Sequence, residues 1–137
     1  MELIIVRHGK TLENVNRVCL GHMGGELSEE GILEARKLGE RFRDKKIDSI
    51  YSSDLKRAVD TSKEVLAHHK GVPFILDERI RERFFGRLQG KPFPVNWDWE
   101  NMPNYVESEQ SISKRVRDFL GDIYPLKKNK TIFLLNL

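Results

Sequence analysis

The chain has 137 residues and a formal net charge of +3, and 33% of its residues are charged. This length suits one domain with a sizeable core, so we expect a single domain over residues 1–137. The charges are of mixed sign without a basic block, and no apolar run is long enough to span a bilayer, so we expect neither nucleic acid nor a membrane as a partner. Cys19 is the only cysteine, which excludes an internal disulfide and favours the cytoplasm.

The N-terminal part of the chain predicts a strand, a loop and a helix. Residues 2–6 (ELIIV) are mostly apolar with almost no alternation, which is typical of a central parallel strand covered on both faces. Residues 10–27 contain three glycines and predict a loop. Ser28 followed by two glutamates is a helix N-cap pattern, and the apolar spacing behind it predicts an amphipathic helix over 29–43.

The next segment repeats this alternation of strand and helix. Residues 47–51 (IDSIY) predict a second strand. Asp54 is a candidate N-cap for a helix over about 55–69, in which apolar residues recur at helical spacing. Residues 73–76 (PFIL) predict a third strand, so this segment adds one more strand–helix–strand unit.

The C-terminal part predicts a long irregular segment, a helix and a last strand. Residues 82–107 contain many Gly, Pro and aromatic residues and predict irregular structure. Apolar residues between 112 and 123 recur at helical spacing and predict a helix that ends near Pro125. Residues 131–135 (TIFLL) predict a fourth buried strand. Strands that alternate with helices indicate an α/β fold, with a mostly parallel central sheet and helices on both faces.

Four chemically active residues follow the predicted strands. Arg7 and His8 come directly after the first strand, Arg57 lies in the first turn of the helix after the second, and Glu82 lies a few residues beyond the third. In an open parallel sheet, ligands bind beyond the carboxyl ends of the strands. We therefore expect these four side chains to share one pocket.

This set of side chains suits phosphoryl transfer. The nitrogen of a neutral imidazole is a competent nucleophile toward phosphorus and can form a phosphohistidine. Two guanidinium groups can bind the phosphoryl oxygens and balance their charge, so we expect no metal and no cofactor. A carboxylic acid near the leaving oxygen can supply its proton.

Each residue also has a simpler explanation when it is taken alone. His8 fits a strand end with a turn glycine after it. Arg57 fits a solvent-facing helix residue that is paired with a nearby acid. Glu82 fits an ordinary surface carboxylate, so the prediction of a site depends on the joint placement of the residues.

Several longer motifs resemble the histidine phosphatase superfamily, which is also called the phosphoglycerate-mutase-like family. They occur in family order over nearly the whole chain. The motifs are "VRHGKTLEN" at 6–14, "LSEEGILEA" at 27–35, "IYSSDLKRAVDTS" at 50–62, "RERFFGRLQG" at 81–90 and "ESEQSISKRV" at 107–116.

The resemblance implies roles for six positions. His8 is expected to be the phosphorylated nucleophile, and Glu82 is expected to be the proton donor. The other positions are expected on the phosphate side of the pocket: Arg7, Asn14, Gly21 and Arg57. For Arg7, His8, Arg57 and Glu82 these roles agree with those derived above from the residues themselves.

The chain departs from the family after its last predicted strand. Family members normally carry a second catalytic histidine there, in a Ser-His-Gly-like segment that completes the phosphate pocket. Asn136 and Leu137 stand in those places, and the sequence then ends. We expect a C-terminally shortened family member with impaired activity; the alternative is that a partner chain covers the gap. Residues 132–135 would then be exposed as a sheet edge or an uncovered apolar face, which favours a homodimer.

The resemblance favours a phosphatase over a mutase. Family mutases keep extra arginines after the acid motif for a second phosphate, whereas no arginine lies between Arg87 and Arg115, and Phe85 stands where mutases tend to carry a tyrosine. We expect a phosphomonoester hydrolase that acts through phosphohistidine on a small phosphorylated metabolite. The alternatives are a phosphoglycerate-mutase-type phosphotransferase and a catalytically dead protein that binds a phosphorylated ligand.

Two further groups of residues have open roles. The segment 91–106 is either a lid over the substrate, with Trp97, Trp99 and Tyr105 stacked on a ring, or a plug that packs these aromatics into the core. His22 is expected to be a loop residue near the pocket rather than a substitute for the second histidine. The remaining histidines, at 68 and 69, are adjacent on a helix end and make a poor metal pair.

Overall fold

A four-stranded parallel sheet forms the centre of the fold, in a computed structural model that describes residues 1–136. The strands lie in the order β1-β4-β2-β3, and their bounds are β1 (Glu2–Val6), β2 (Ser49–Ser52), β3 (Phe74–Leu76) and β4 (Thr131–Leu135). The helices are α1 (Leu12–Val15), α2 (Glu29–Phe42), α3 (Lys56–Leu66) and α4 (Glu109–Leu126). Two 3₁₀ turns, Glu78–Ile80 and Gly86–Leu88, interrupt the long connection between β3 and α4.

Helices cover both faces of the sheet, so the predicted α/β architecture is confirmed. Successive side chains of β4 point to opposite faces. On one face, Phe133 and Leu135 pack in a core cluster with residues of α3, and α2 closes the outside of that cluster. On the other face, Ile132 and Leu134 pack in a second cluster with Phe119 of α4.

The order of the strands corrects two predictions about exposure. β1 was expected in the centre, but among the described residues it pairs only with β4 and lies at the sheet edge, where Ile5 is 53% exposed. Residues 132–135 were expected to be exposed, and this is wrong: all four are fully buried. The reason is that β4 inserts between β1 and β2 and has helices above and below. The homodimer stays a prediction without this argument.

The predicted helix caps have different outcomes. The Ser28 cap is confirmed, since its hydroxyl accepts a hydrogen bond from the backbone N–H of Gly31 at 3.0 Å. Asp54 does not cap α3; the N-cap is Leu55, which makes no side-chain capping bond. The Asp54 carboxylate instead accepts a hydrogen bond from Nε of Arg81 at 2.6 Å. Asp54 therefore forms an ion pair with an arginine far away in the sequence and does not bind the N-terminus of α3.

Other boundaries differ by a few residues. The expected loop 10–27 contains the short helix α1, which Thr11 begins with a capping box. Helix α4 starts at Glu109 and contains Pro125, because the missing N–H removes only one bond of the last turn.

Among residues 1–136, no helix combines the length and the apolar character needed to cross a bilayer.

Candidate active site

All six residues singled out in the sequence line one cavity of about 850 Å³ at the carboxyl ends of the strands. Loops and helix starts supply them in turn. Arg7 and His8 continue β1, the segment after them contributes Asn14 and Gly21, α3 carries Arg57 in its first turn, and Glu82 follows the first 3₁₀ turn. The expected shared pocket is therefore present in the fold, and the chemical role of each residue stays a prediction.

His8 is held with a lone pair available at one ring nitrogen. It is 9% exposed, and its Nδ1 lies 2.7 Å from the carbonyl oxygen of Gly9. Its Nε2 accepts a hydrogen bond from Nε of Arg57 at 3.1 Å, so the ring proton resides on Nδ1 and donates to Gly9. Burial lowers the pKa of His8, and the charges of Arg57 and Arg7 act in the same direction. The imidazole is therefore neutral near pH 7.

Arg57 is a buried cation fixed by the glycine-rich loop. The residue is 1% exposed, which rules out a solvent-facing helix position. Its Nη2 donates to the carbonyl oxygen of Gly21 at 2.8 Å, and its Nη1 donates to the carbonyl oxygens of Met23 and Gly24. Gly21 has a φ of +53°, a left-handed conformation that glycine adopts without strain. The loop thus binds the guanidinium by backbone oxygens, and the negative charges of Glu82 and Glu13 favour its charged form.

Arg7 and Asn14, which were also predicted to contact the phosphate, differ in how firmly they are held. Arg7 is exposed at the mouth of the cavity. The Oδ1 of Asn14 accepts a hydrogen bond from the backbone N–H of Thr11 at 3.1 Å. Because the amide oxygen is used in this way, the NH₂ group of Asn14 is the part that can donate to a ligand.

Glu82 lies on a segment fastened from two sides. Its side-chain Oε1 accepts a hydrogen bond from the backbone N–H of Arg83 at 2.9 Å. Its backbone carbonyl oxygen accepts two more, from Nε2 of His22 at 2.8 Å and from Nη2 of Arg115 at 3.2 Å. His22 is therefore a loop residue, as expected, and it joins the loop after α1 to the segment that carries Glu82.

The Glu107–Arg115 ion pair was missed in the sequence and fixes the same segment. Nε of Arg115 lies 2.8 Å from Oε1 of Glu107, and both side chains are largely buried. The same guanidinium donates to the carbonyl oxygen of Arg79 at 2.6 Å, and Glu107 accepts the backbone N–H of Phe84 at 3.1 Å. Burial is the largest single effect and opposes the charged form of Glu107, but the hydrogen bonds from Arg115, Phe84 and Ser111 and the charge of Arg115 together outweigh it and lower the pKa of Glu107.

Cys19 also lines the cavity and carries a second nucleophilic atom, its sulfur. Burial raises the pKa of its thiol to about 11. A thiol with such a pKa stays protonated near pH 7 and is a weak nucleophile. The neutral imidazole of His8 is therefore the stronger of these two nucleophiles at that pH.

His8 is the only histidine that lines the cavity within residues 1–136. His22 lies beside the cavity with its Nε2 already bonded, and Nε2 of His69 lies 3.0 Å from the carbonyl oxygen of Phe42. In this described part of the chain, no three His, Cys, Asp or Glu side chains come together as metal ligands would. Asn136 is buried after β4 with a φ of +75°, and Leu137 lies outside the described residues.

The aromatic residues of the segment 91–106 fall into two groups, one for each of the two roles left open for the segment. Trp97 and Tyr105 pack against the buried cluster around Phe85 and do not line the cavity. Trp99 does line it and is 58% exposed. Trp97 and Tyr105 therefore match the plug, whereas Trp99 is placed where a ligand can reach it.

The sequence profile of the histidine phosphatase superfamily (branch 1) matches residues 3–135. The chain belongs to this family. Phosphoglycerate mutase-like protein 4 of Arabidopsis thaliana is 39% identical to it over 90 residues, which cover 65% of this chain and 39% of that protein. The chain spans between 39% and 66% of the length of several curated relatives.

Two solved structures of family proteins share the fold. Bacillus stearothermophilus YhfR matches with a TM-score of 0.90 at 27% identity, over 98% of this chain and 73% of the solved one. The alpha-ribazole phosphatase from Shigella flexneri matches with a TM-score of 0.87 at 27% identity, over 99% of this chain and 73% of the solved one. The architecture predicted from the sequence is that of these relatives.

Proposed function

We propose that this chain is a phosphomonoester hydrolase that passes the phosphoryl group through a phosphohistidine on His8. The observation that carries the proposal is the neutral His8 imidazole, whose Nε2 lone pair faces the buried charge of Arg57 inside the cavity. Membership of the histidine phosphatase superfamily and the likeness to a phosphatase structure support it.

The first step transfers the phosphoryl group to the protein. The phosphate enters between Arg7 and Arg57 and takes over the N–H that Arg57 donates to His8 in the open cavity. The freed Nε2 attacks phosphorus, and the ester P–O bond breaks as the N–P bond forms. Glu82 in its protonated form gives its proton to the leaving oxygen, so the alcohol departs neutral.

The second step returns the protein to its starting state. A water molecule attacks the phosphohistidine and gives one proton to the Glu82 carboxylate, while the N–P bond breaks and its electron pair returns to Nε2. Inorganic phosphate leaves, His8 is neutral again and Glu82 is again an acid. The donors of Arg7, Asn14 and Arg57 stabilise the phosphoryl oxygens in both steps.

A second candidate is a protein that binds a phosphorylated ligand without turning it over. It is favoured by one observation, that His8 is the only histidine lining the cavity among the described residues. A pocket with fewer donors stabilises the transition state less, since removal of one such donor costs about a hundredfold or more in rate.

Hydrolysis of 4-nitrophenyl phosphate in the presence of a chelator tests the proposal. We expect the wild type to release nitrophenolate and His8→Ala to lose about a thousandfold or more in rate. His68→Ala, which removes a histidine at the end of α3 outside the cavity, is the control and is expected to match the wild type. Equal rates for wild type and His8→Ala reject the enzyme, and phosphate binding without hydrolysis favours the second candidate.

A further inference from the structure

An aromatic wall forms part of the lining of the cavity. It consists of Phe85, Phe93 and Trp99, all of which line the cavity. The rings of Phe93 and Trp99 are stacked, with centroids 5.7 Å apart and planes 27° from parallel. Phe85 meets Phe93 edge-on at 5.4 Å and is itself buried. The wall therefore runs from the core, at Phe85, to the mouth of the cavity, at Trp99.

Trp99 is the exposed member of this wall, although other aromatic residues of its segment are buried or partly buried. Trp97 and Tyr105 belong to the same segment and are taken up by the core, whereas Trp99 keeps 58% of its surface exposed and Val95 keeps 97%. A large apolar side chain that stays exposed beside a cavity indicates a contact surface for a ligand. Its stacked partner Phe93 holds the ring of Trp99 in place, so the contact surface is preorganised.

Two of the arginines that line the cavity are already neutralised by carboxylates. Arg81 is paired with Asp54, and Arg115 is paired with Glu107. Arg83 donates from Nη1 to the sulfur of Met102 at 2.9 Å and so lies against the apolar lining. The cation held deepest in the cavity is Arg57 beside His8, which separates a phosphate end from an apolar end.

We propose that Phe93 and Trp99 bind a flat apolar group, such as an aromatic ring, in the alcohol part of a phosphomonoester whose phosphate lies at His8 and Arg57. This deepens the proposed function by naming the substrate class, and it rests on that function for the placement of the phosphate. Stacking of a ring on Trp99 buries apolar surface that the protein leaves in water. A small polar alcohol, such as a glycerol group, gains nothing from this wall.

Binding of phosphonates tests this without any hydrolysis, because a P–C bond is not cleaved by the proposed reaction. Titration calorimetry compares benzylphosphonate with methylphosphonate on the intact chain. We expect benzylphosphonate to bind about tenfold more tightly, as one stacked ring would give. Trp99→Ala should bring the ratio of the two dissociation constants close to one, and Trp99→Phe should restore most of it.

Tyr124→Ala is the matched control, since Tyr124 is an aromatic of similar exposure, 53%, on α4 outside the cavity. It should leave the ratio at the wild-type value, and a thermal melt of each variant confirms that it is folded. Equal affinity for the two phosphonates would overturn the proposal, and so would an equal effect of Trp99→Ala and Tyr124→Ala. Tighter binding of 3-phosphonopropionate than of benzylphosphonate would also overturn it, because its carboxylate would select Arg17 or Arg83, two arginines that line the cavity.

The outcome is separable from that of the proposed function. If the chain prefers benzylphosphonate through Trp99 but does not hydrolyse 4-nitrophenyl phosphate, the aromatic site is supported and the proposed hydrolase activity is rejected. Hydrolysis that depends on His8, without a benzyl preference, would keep the enzyme and reject the aromatic site.

Discussion

The Nε of Arg57 lies 3.1 Å from Nε2 of His8, and both groups are buried at the inner end of one cavity. The other nitrogens of the guanidinium donate to the backbone carbonyls of Gly21, Met23 and Gly24. One side chain therefore fixes the position of the imidazole relative to the glycine-rich loop. The planar fork of an arginine can make all of these bonds at once, and the single ammonium group of a lysine cannot.

Arg57→Lys should lower kcat/KM for 4-nitrophenyl phosphate by about a hundredfold, because it keeps the charge and loses the donors that orient His8 and the phosphate. The same change should destabilise the fold by about 1–3 kcal/mol, since carbonyls of the loop lose their partners in a buried place. Arg36→Lys, on the exposed surface of α2, is the control. A kcat/KM of Arg57→Lys within about threefold of the wild type would contradict the role given to the planar guanidinium of Arg57.

Acidification should destabilise the protein through His8 and His22. Burial lowers the pKa of both His8 and His22, so in the pH range just below the usual histidine value, about 6.5, the unfolded chain binds more protons than the folded one. The free energy of unfolding therefore falls as the pH falls through this range. The hydrogen bonds from Arg81 lower the pKa of Asp54. Protonation of such carboxylates therefore reduces the free energy of unfolding further only at more acidic pH.

Urea unfolding at pH 7.5 and pH 5.5 measures this effect. His8→Gln removes one of the two titrating groups, so its free energy of unfolding should fall less over this interval than that of the wild type. Identical losses in the two proteins would show that His8 does not titrate abnormally in the folded state.

The sequence was sufficient for the architecture and insufficient for the order of the strands. The apolar run 131–135 indicates a buried strand, and β4 is buried. An apolar run does not show which strands lie beside it, because pairing depends on contacts between distant segments. This is why β1 was expected in the centre and was found at the edge. The exposure expected for residues 132–135 was inferred from the lack of the family's Ser-His-Gly-like segment after them, and it was wrong because β1, β2 and the helices on both faces cover β4.

The same distinction holds for the cavity. His8, Arg57 and Glu82 could be placed together because each follows the end of a strand, and strand ends of a parallel sheet meet. The partners of Arg81 and Arg115 could not be foreseen, since Asp54 and Glu107 are joined to them by tertiary structure rather than by helical spacing. Asp54 even matched a local capping pattern, which the ion pair with Arg81 overrides.

Glu107→Gln should destabilise the protein and reduce its activity together. Removal of one partner from a largely buried ion pair leaves the other charge unpaired, at a cost of about 3 kcal/mol. Arg115 then holds the carbonyl oxygen of Glu82 less firmly, so kcat should fall more than KM rises. Chemical denaturation and steady-state kinetics on one preparation measure both effects.

Asp118→Asn tests the specificity of that result. Asp118 forms an ion pair with Lys114 on the same helix, but that pair is exposed and should contribute less than about 1 kcal/mol. We expect this variant to match the wild type in kcat. A fall in stability without any change in kcat for Glu107→Gln would assign the pair to the fold alone.

Two helical glycines should respond to alanine in opposite directions. At Gly31, in the first turn of α2, an added Cβ would lie 1.9 Å from the carbonyl oxygen of Lys10, which the backbone N–H of Ser28 holds at 2.9 Å. Gly31→Ala should therefore cost about 2–3 kcal/mol. At Gly121, in α4, an added Cβ meets nothing within 4 Å, and Gly121→Ala should stabilise by about 0.5–1 kcal/mol.

The first of these changes should also reach the cavity. The carbonyl of Gly31 lies so close to Gly9 that any shift of α2 moves the residue after His8, whose carbonyl oxygen accepts the bond from Nδ1. We expect Gly31→Ala to lower kcat for 4-nitrophenyl phosphate and Gly121→Ala to leave it unchanged. Urea titrations and kinetics of the two variants supply the measurement, and equal stabilities would contradict the close contact between α2 and the loop that follows β1.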